Sequence, residues 1–538
     1  MDFIFYNGTV VTMDCTRPLA EAVAIQNGVI LRVGATAGIL KLATRNTRLI
    51  DLDGRLLLPG FNDSHMHLLS YGYGLEKVAL EETSGIEDMI HRGRQFSAGH
   101  KALRWIQGRG FNNDRWADHT LPTRKDLDRI STATPITFIR DCNRVVAANT
   151  RAIEMMGVTR DTPQPPDGRF DTDADGIPSG IFRDGALRLV ERALPPVSAD
   201  DIRRMLIGAG EALLRHGVTA VQTDDFEAVP PREHPYLLPT FQALAADGRL
   251  PVRVYEQCRW EDPEQLRGYL AQGCATGAGV GRFHIGPLKL LCDGVLGVRT
   301  ALLSQPYADR PDTCGHSCFS RERLAELVET AHNAGMSVAI HAIGDRGLDM
   351  ALDAIERATL ARPRPDPRHS VIHCQVTRPE QLTRLREMNV IAHLQPIFID
   401  SDQEILVPRA GPELARSSYA WRTIADLGIP YAFGSDAPIC TFDPIQGIYC
   451  AVTRKDRKGI PAAGWMPEQR LTVAQAVYGY TLGAAYAARQ EAVRGSVTVG
   501  KLADLVVLDR NIFCIPTDEI KDASVDMTML DGAVVYER

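Results

Sequence analysis

LLLPGFNDSHMHL, residues 56–68, is a short apolar run that ends in two histidines separated by one residue. Seven more short apolar stretches follow, each running into a polar or glycine-containing loop. They are GVTAVQTD (217–224), PVRVYEQC (251–258), RFHIGPLKLLCDG (282–294), MSVAIHAIGD (336–345), HSVIHCQV (369–376), NVIAHLQP (389–396) and IPYAFGSDAP (429–438). Helical patterns such as LAELVETAHNAG at 324–335 lie between them, as is typical of parallel βα units.

Eight such strands with intervening helices predict an α/β fold of the (β/α)8 barrel type, with chemistry at the carboxyl ends of the strands. The alternative is a doubly wound open sheet. The barrel is favoured because the sequence has no glycine-rich phosphate-binding turn at the start of the series.

The two ends of the chain share a texture of short strands and turns, for example EAVAIQNGVILRVG at 21–34 and GKLADLVVLD at 500–509. We therefore expect residues 1–58 and 487–538 to form a composite β-sandwich domain beside a barrel that spans residues 59–486. The first two barrel strands are separated by about 150 residues, far more than an ordinary βα connection. This spacing predicts an inserted subdomain at 75–200, which could serve as a lid over the active-site end.

The composition is that of an ordinary globular protein of 538 residues, with 60 Lys plus Arg, 67 Asp plus Glu and a net charge of −7. No basic cluster indicates nucleic-acid binding, and no apolar run is long enough to cross a membrane. Asp2 and Asn7 disfavour a signal peptide, and 11 scattered cysteines indicate reduced thiols. We expect a cytoplasmic protein with a small-molecule substrate; a homo-oligomer is compatible with the sequence.

Five polar residues end the predicted strands and suit a metal ion. His65 and His67 alternate along one strand, so both side chains point to the same side. His341, His373 and Asp436 lie at the ends of the fifth, sixth and eighth strands. Such a nitrogen- and oxygen-rich set suits Zn²⁺ or another first-row divalent ion. We expect one or two metal ions per chain.

Lys289 on the fourth strand is a sixth candidate, with two interpretations. A neutral lysine can react with carbon dioxide, and the two oxygens of the carbamate could bridge two metal ions. Alternatively, its ammonium pairs with Asp293 or with a substrate carboxylate.

The motifs LPGFNDSHMH, LKLLCDGVLGVRTA, IHAIGDRG, IHCQ, FGSDAP and GKLADLVVLD together resemble the metal-dependent amidohydrolase superfamily. More narrowly, the chain resembles the branch that includes N-substituted formamide deformylase. This resemblance implies a barrel with a composite β-sandwich and a metal centre of one or two ions. It implies first-strand ligands at His65 and His67, a carboxylated Lys289, second-metal ligands at His341 and His373, and an acid at Asp436.

The sequence departs from this branch in the inserted region. RDCNRVVAANT carries Cys142 and Asn143 where an Asp-Gly-His-type stretch is common, so a relative's substrate does not transfer directly. Cys374 also follows His373 where a small residue is usual, which matters less because Cys is small.

We expect hydrolysis of a non-peptide C–N bond in an amide, formamide or cyclic amide by metal-activated water. Asp436 is the predicted base and then acid, and His373 or His341, if not a ligand, is a candidate to stabilise the oxyanion. Arg299, Trp116 and Asp345 are the candidate substrate-binding residues, with Asn143 and Gln395 as further polar residues that could face the pocket. Deamination, C–O hydrolysis and a non-catalytic metal-binding role remain as alternatives.

Overall fold

Eight parallel strands form the centre of the computed structural model, which describes residues 1–101, 103–142, 144–229 and 236–538. The strands are, in chain order, β1 (Phe61–Met66), β2 (Val218–Thr223), β3 (Arg253–Arg259), β4 (Phe283–Leu291), β5 (Val338–Ala342), β6 (Ser370–His373), β7 (Ile391–Leu394) and β8 (Tyr431–Phe433). Each strand pairs in parallel with the next one along the chain. The eight predicted strands are therefore confirmed, and the fold is α/β.

The barrel is nearly closed between β8 and β1. Just beyond β8, the Asp436 amide donates to the His65 carbonyl at 2.8 Å, and the His67 amide donates to the Ala437 carbonyl at 2.8 Å. The first predicted strand needs one correction. Its beginning, Leu56–Pro59, pairs with Thr9–Val11 and Leu505–Leu508 in another sheet, and the barrel strand starts only at Phe61.

The helices form where buried apolar residues recur at helical spacing and where a polar side chain caps the first turn. In Arg321–Asn333, for example, Leu324, Leu327, Val328 and Ala331 are buried at helical spacing, and the Ser320 side chain caps the first turn. The other helices outside residues 76–198 are Thr36–Ile39, Leu68–Leu75, Ala199–Leu214, Leu237–Ala246, Pro263–Ala271, Asp345–Ala361, Pro379–Glu387, Ile399–Asp402, Leu406–Ala415, Trp421–Asp426, Pro444–Thr453, Val473–Gly479 and Leu482–Ala487. Short 3-10 turns occupy Leu40–Leu42, Pro396–Phe398, Pro467–Gln469 and Thr517–Asp522.

Strands from both ends of the chain meet in one six-stranded sheet. Its order is Ala533–Glu537, Val525–Leu530, Leu505–Leu508, Leu56–Pro59, Thr9–Val11 and Leu19–Ala20. A four-stranded sheet has the order Val29–Gly34, Ala22–Gln26, Phe3–Tyr6 and Arg48–Asp51. One apolar cluster joins side chains of both sheets, including Phe5, Val23, Leu57 and Val507. Gly279–Val280 adds a short antiparallel strand to β4.

Gly72–Asp201 and Val229 form a second compact unit, whereas Met1–Tyr71, Ile202–Ala228 and the described chain from 236 onward form the first. The sheet of the second unit has the order Gly168–Thr172, Pro178–Asp184, Val145–Ala148, Ile136–Arg140, Ile106–Phe111 and Lys77–Ala79. Its helices are Ile86–Gly99, Arg124–Asp128, Thr150–Met156 and Leu187–Ala193, with a 3-10 turn at Asn113–Arg115. The predicted lid role of 75–200 stays a prediction.

Within the described part of the chain, no helix has the length and apolar character needed to span a membrane.

Candidate metal centre

The six predicted ligand positions all lie at the carboxyl end of the barrel. The strands are parallel, so polar residues that end different strands arrive at the same rim. His65 belongs to β1, Lys289 to β4, His341 to β5 and His373 to β6, while His67 and Asp436 directly follow their strands. All except His67 are buried, and the His67 side chain is 28% exposed.

Three of these residues bring their donor atoms to one point. The Nε2 atoms of His65 and His67 lie 3.3 and 3.2 Å from the same Asp436 Oδ1. One ligand atom from each residue can be chosen so that all three lie within 4.8 Å of one another. Two imidazoles and a carboxylate in this arrangement form a tridentate donor set for a divalent metal ion.

The hydrogen bonds of the outer ring nitrogens support this assignment. His67 Nδ1 lies 2.7 Å from the Asp224 carbonyl oxygen, and His65 Nδ1 lies 3.0 Å from Gln257 Oε1. A carbonyl oxygen only accepts, so His67 Nδ1 carries the proton and its Nε2 lone pair faces Asp436 in the neutral ring. The residues therefore fit a metal ion, since two nitrogen lone pairs and a carboxylate oxygen converge.

The groups of the protein itself give His65 and His67 different pKa values. Burial, then the charge of Lys289, lowers the pKa of His65 to about 4. Burial also acts to lower the pKa of His67, but the hydrogen bond and charge of Asp436 outweigh it and raise that pKa to about 9. A proton on His67 can thus hold the histidine and Asp436 together, and a cation bound at the three donors would take its place.

Lys289 borders this group. Its Nζ lies 3.2 Å from His65 Nε2 and 3.8 Å from Asp224 Oδ2. Burial lowers the pKa of Lys289, and the charges of Asp224 and Asp436 oppose that effect. The geometry places the amine beside both a ligand and an acid, which is compatible with either interpretation from the sequence. The acid is Asp224 and not the predicted Asp293.

His341 and His373 form a second pair next to the first group, with ring centroids 4.5 Å apart. The His373 ring lies 5.6 Å from the His65 ring. His373 Nδ1 contacts Gln395 Oε1 at 2.9 Å, and His341 Nε2 contacts the Gly294 carbonyl at 3.1 Å. These contacts leave His341 Nδ1 and His373 Nε2 available for a metal ion.

Asp293 supports His341 from behind. Its carboxylate accepts the backbone N–H groups of Leu302, Ile343 and Gly344 at 2.8, 3.0 and 2.8 Å. Its Oδ1 lies 3.6 Å from His341 Nε2. The carboxylate therefore fixes the loop after β4 to the end of β5, and the Gly294 carbonyl of that loop orients His341.

Two of the candidate ligands have unusual backbone conformations. His373 has φ of 78° and Asp436 has φ of 58°, both in the left-handed region that favours glycine. Residues held in this way persist only when the surrounding structure determines them, and they are concentrated at functional sites.

The three candidate substrate-binding residues make internal contacts instead. Arg299 forms an internal salt bridge: it donates to Asp309 from Nε at 3.1 Å and from Nη2 at 2.8 Å. The Trp116 indole is 1% exposed, and its Nε1 donates to the Thr83 carbonyl at 2.7 Å. Asp345 is fully buried at the start of a helix and accepts the Ser304 amide at 2.8 Å. Packing and helix-end contacts account for these side chains, and their substrate-binding role stays a prediction.

Gln395 lies against the centre as a partner of His373, while Asn143 falls outside the described residues. The sequence interpretation missed Asp224 and Gln257, which orient the first two ligands. Asp224 directly follows β2, whereas Gln257 lies two residues before the end of β3; this nearness to the rim was the signal available in the sequence.

Comparisons with known proteins find similarity over nearly the whole chain. The model of the amidohydrolase family matches residues 48–536. The Bacillus subtilis (strain 168) protein YtcJ, named as an amidohydrolase, is 32% identical over 100% of both chains. N-substituted formamide deformylase of Arthrobacter pascens is 25% identical over 100% of this chain and 98% of that protein. The crystal structure of an uncharacterized metal-dependent hydrolase from Pyrococcus horikoshii is 29% identical, with a TM-score of 0.76 over 96% of this chain and 99% of that chain.

Proposed function

The chain belongs to the amidohydrolase family, and from this premise we propose that it hydrolyses a non-peptide C–N bond of a small molecule with the help of a divalent metal. The observation that carries the proposal is the convergence of His65, His67 and Asp436 at the carboxyl end of the barrel: one ligand atom from each lies within 4.8 Å of the others, and the two Nε2 atoms lie 3.3 and 3.2 Å from Asp436 Oδ1. The proposed substrate is an amide, a formamide or a cyclic amide.

A divalent ion bound by these residues, most simply Zn²⁺, would lower the pKa of a water molecule and polarise the substrate carbonyl. His65 and His67 would hold it through Nε2, with Gln257 and the Asp224 carbonyl fixing their rings. A second ion would use His341 Nδ1 and His373 Nε2, with a carboxylated Lys289 between the two.

Asp436 supplies the proton transfer in this proposal. Burial acts to raise its pKa, but the hydrogen bonds to His65 and His67 outweigh burial and hold the pKa well below its usual range. The carboxylate is therefore ionised at neutral pH. It accepts a proton from the attacking water and delivers it to the leaving nitrogen. If His373 is not a ligand, it can instead donate to the carbonyl oxygen as negative charge develops there, provided that the Gln395 amide turns over so that His373 Nδ1 accepts and Nε2 carries the proton.

Two finer hypotheses about the architecture belong to the same proposal. Residues 1–58 and 487–538 form one composite β-sandwich, and residues 75–200 are an inserted subdomain that acts as a lid. The shared six-stranded sheet supports the first, and the compact unit at 72–201 supports the insertion.

The test is metal content per chain by plasma mass spectrometry, on protein purified without added metal or chelator, with Lys289→Ala alongside. A metal content of about two ions per chain that decreases in the variant supports the carbamate bridge. A content of one ion per chain that is the same in the variant supports a mononuclear centre. Metal-loaded protein is then screened on formamides, N-acyl amines and cyclic amides. An amine plus an acid supports the proposal; ammonia indicates deamination and an alcohol C–O hydrolysis. A protein that binds no metal and stays inert after reconstitution overturns it.

A further inference from the structure

Gln375 lies two residues beyond His373, and neighbouring groups fix its side chain. Its Nε2 donates to Asp402 Oδ2 at 3.0 Å, and its backbone carbonyl accepts the Tyr419 amide at 2.8 Å. The residue is 4% exposed. Among the residues that the structure describes, none donates a hydrogen bond to its Oε1. A buried glutamine with one end bound and the other free presents a single acceptor atom.

The direction of the Gln375 amide follows from Asp402. Besides Gln375, the Asp402 carboxylate contacts the Tyr419 hydroxyl at 2.6 Å through Oδ2 and the Ser401 hydroxyl at 2.9 Å through Oδ1. Burial and the neighbouring acid raise the pKa of Tyr419, so its hydroxyl stays protonated and donates. Oδ2 therefore acts as an acceptor, and Gln375 must turn its NH₂ group towards it. The amide oxygen then points away from Asp402.

A buried arginine holds this arrangement in place. Arg454 Nη1 donates to the Tyr419 carbonyl at 3.1 Å. The Arg454 guanidinium is fully buried, with Cζ 4.0 Å from the Trp421 ring centroid and 4.9 Å from that of Trp465. Since Tyr419 binds both Gln375 and Asp402, this anchor limits the movement of the whole cluster, as a preorganised recognition group requires.

The cluster borders the metal centre on the side of β6 to β8. The Phe398 ring stacks on the His373 ring with centroids 5.9 Å apart, and the helix that carries Asp402 begins at the next residue, Ile399. On the other side, burial and the charges of Asp436, Asp400 and Asp402 raise the pKa of the Cys440 thiol to about 12. Cys440 belongs to the turn after Asp436, in which the Ile439 amide donates to the Asp436 carbonyl at 2.9 Å.

We propose that Gln375 is a specificity-determining residue whose Oε1 accepts a hydrogen bond from the N–H of the scissile amide. The inference rests on the proposed C–N hydrolysis and names the substrate class more narrowly. Amides that carry an N–H are selected, whereas N,N-disubstituted amides and esters are not. A site that offers a fixed acceptor rejects an analogue without the donor, because the bound analogue excludes water from the acceptor and leaves it unpaired.

Three matched probes test this preference in the metal-loaded enzyme: formanilide, N-methylformanilide and phenyl formate. In Gln375→Leu, we expect kcat/KM for formanilide to fall about tenfold or more, while the values for the other two probes change less than twofold. Metal content should stay the same. An equal fall for all three probes would overturn the proposal, because it would assign Gln375 a general structural role.

Asp402→Asn tests the orientation of Gln375 more directly. The NH₂ group of the new asparagine can donate to Gln375 Oε1, which allows the glutamine amide to rotate by 180°. The preference for formanilide over N-methylformanilide should then decrease. Ser401→Ala is the matched control, because it removes a contact to the other carboxylate oxygen and should leave the preference unchanged. Retention of the full preference in Asp402→Asn would contradict the orienting role.

A binding measurement separates this inference from the proposed function. Calorimetric titration of metal-loaded Asp436→Asn with formanilide and N-methylformanilide needs no turnover. Tighter binding of formanilide, lost when Gln375→Leu is added, supports the recognition role even if the parent enzyme hydrolyses none of the probes. Equal binding of the two amides, or no binding of either, overturns it.

Discussion

Buried histidines occur at both ends of the barrel, and they differ in how their ring nitrogens are used. At the carboxyl end, the outer nitrogens of His65 and His67 contact protein oxygens, while the inner nitrogens converge on Asp436. At the amino end, His369 precedes β6 and contacts His332 of the helix Arg321–Asn333. Both regions are buried, but only the first leaves lone pairs directed at a common point.

All four ring nitrogens of the amino-end pair are occupied. The Val338 amide donates to His369 Nδ1 at 3.1 Å, so the His369 proton must be on Nε2. That nitrogen lies 2.8 Å from His332 Nδ1, and His332 Nε2 lies 2.7 Å from the Arg362 carbonyl. The pair forms a continuous chain of neutral donors and acceptors with no atom left for a ligand.

Burial therefore does not distinguish a metal-binding histidine from a structural one. The distinguishing feature is whether a ring nitrogen is left without a protein donor or acceptor, beside other groups in the same situation. Substitutions at the two ends should accordingly affect different measured quantities.

The largest contrast is expected between His67→Ala and His369→Ala. Loss of His67 removes a donor from the three-residue set, so metal content should fall. Turnover should drop more than about 100-fold, because substitution of a residue that only hydrogen-bonds to a ligand already costs up to about 100-fold. His369→Ala should keep its metal and lose stability instead. Plasma mass spectrometry and urea unfolding of both variants provide the measurements. Full metal content in His67→Ala would remove this histidine from the centre.

Asp436→Asn should lower kcat by about 10² or more, because an amide cannot accept the proton of the attacking water. Much of the metal should remain, since the asparagine amide oxygen can still act as a ligand and His65 and His67 keep their positions. Turnover and metal content of the same preparation are compared. Unchanged turnover would exclude Asp436 from the proton transfer.

The two ends also differ in how far the sequence predicts them. The His-x-His pair and the strand-end positions of His341, His373 and Asp436 identify the rim residues, because parallel strands bring their carboxyl ends together. His369, in contrast, stands directly before β6, at the opposite end of a strand from the rim residues. The outer partners are harder to predict. Asp224 acts through its backbone carbonyl, and Gln257 depends on the register between strands, which one sequence does not specify.

Two further features could not be predicted because they depend on tertiary contacts: the division of the first predicted strand between two sheets, and the salt bridge of Arg299. Leu56–Pro59 continues the apolar run of β1, so only the pairing partners show that it lies in another sheet. Arg299 pairs with Asp309, ten residues further along a loop. Loop geometry is set by tertiary contacts that leave no periodic pattern in the sequence.

Gln257→Leu should weaken metal affinity by about 10- to 100-fold, because His65 loses the partner that fixes its ring. Gln222→Leu is a suitable control. Gln222 is also a buried strand glutamine, but its Nε2 donates to the Ala484 carbonyl at 3.0 Å and touches no ligand. Competition with a chelating dye measures both affinities. Equal weakening in the two variants would show that the effect is general destabilisation.

The smallest effect concerns the pH dependence of the amino-end pair. Burial, followed by the charges of His332, Arg364 and Arg489, lowers the pKa of His369 to about 3, against 6.5 in an unfolded chain. Burial and the charges of Arg362 and Arg364 likewise lower the pKa of His332.

The unfolded state therefore binds protons below pH 6.5 that the folded state does not, and the stability contributed by the pair is lost as pH falls. The unfolding free energy of the wild type relative to His369→Gln should be smaller at pH 5.5 than at pH 8, by about 1 kcal/mol. Urea unfolding at the two pH values measures it, and the metal-centre histidines, present in both proteins, cancel in the difference. A difference that is independent of pH would mean that the pair accepts a proton without losing its contacts, and the contrast between the two ends would then rest on metal content alone.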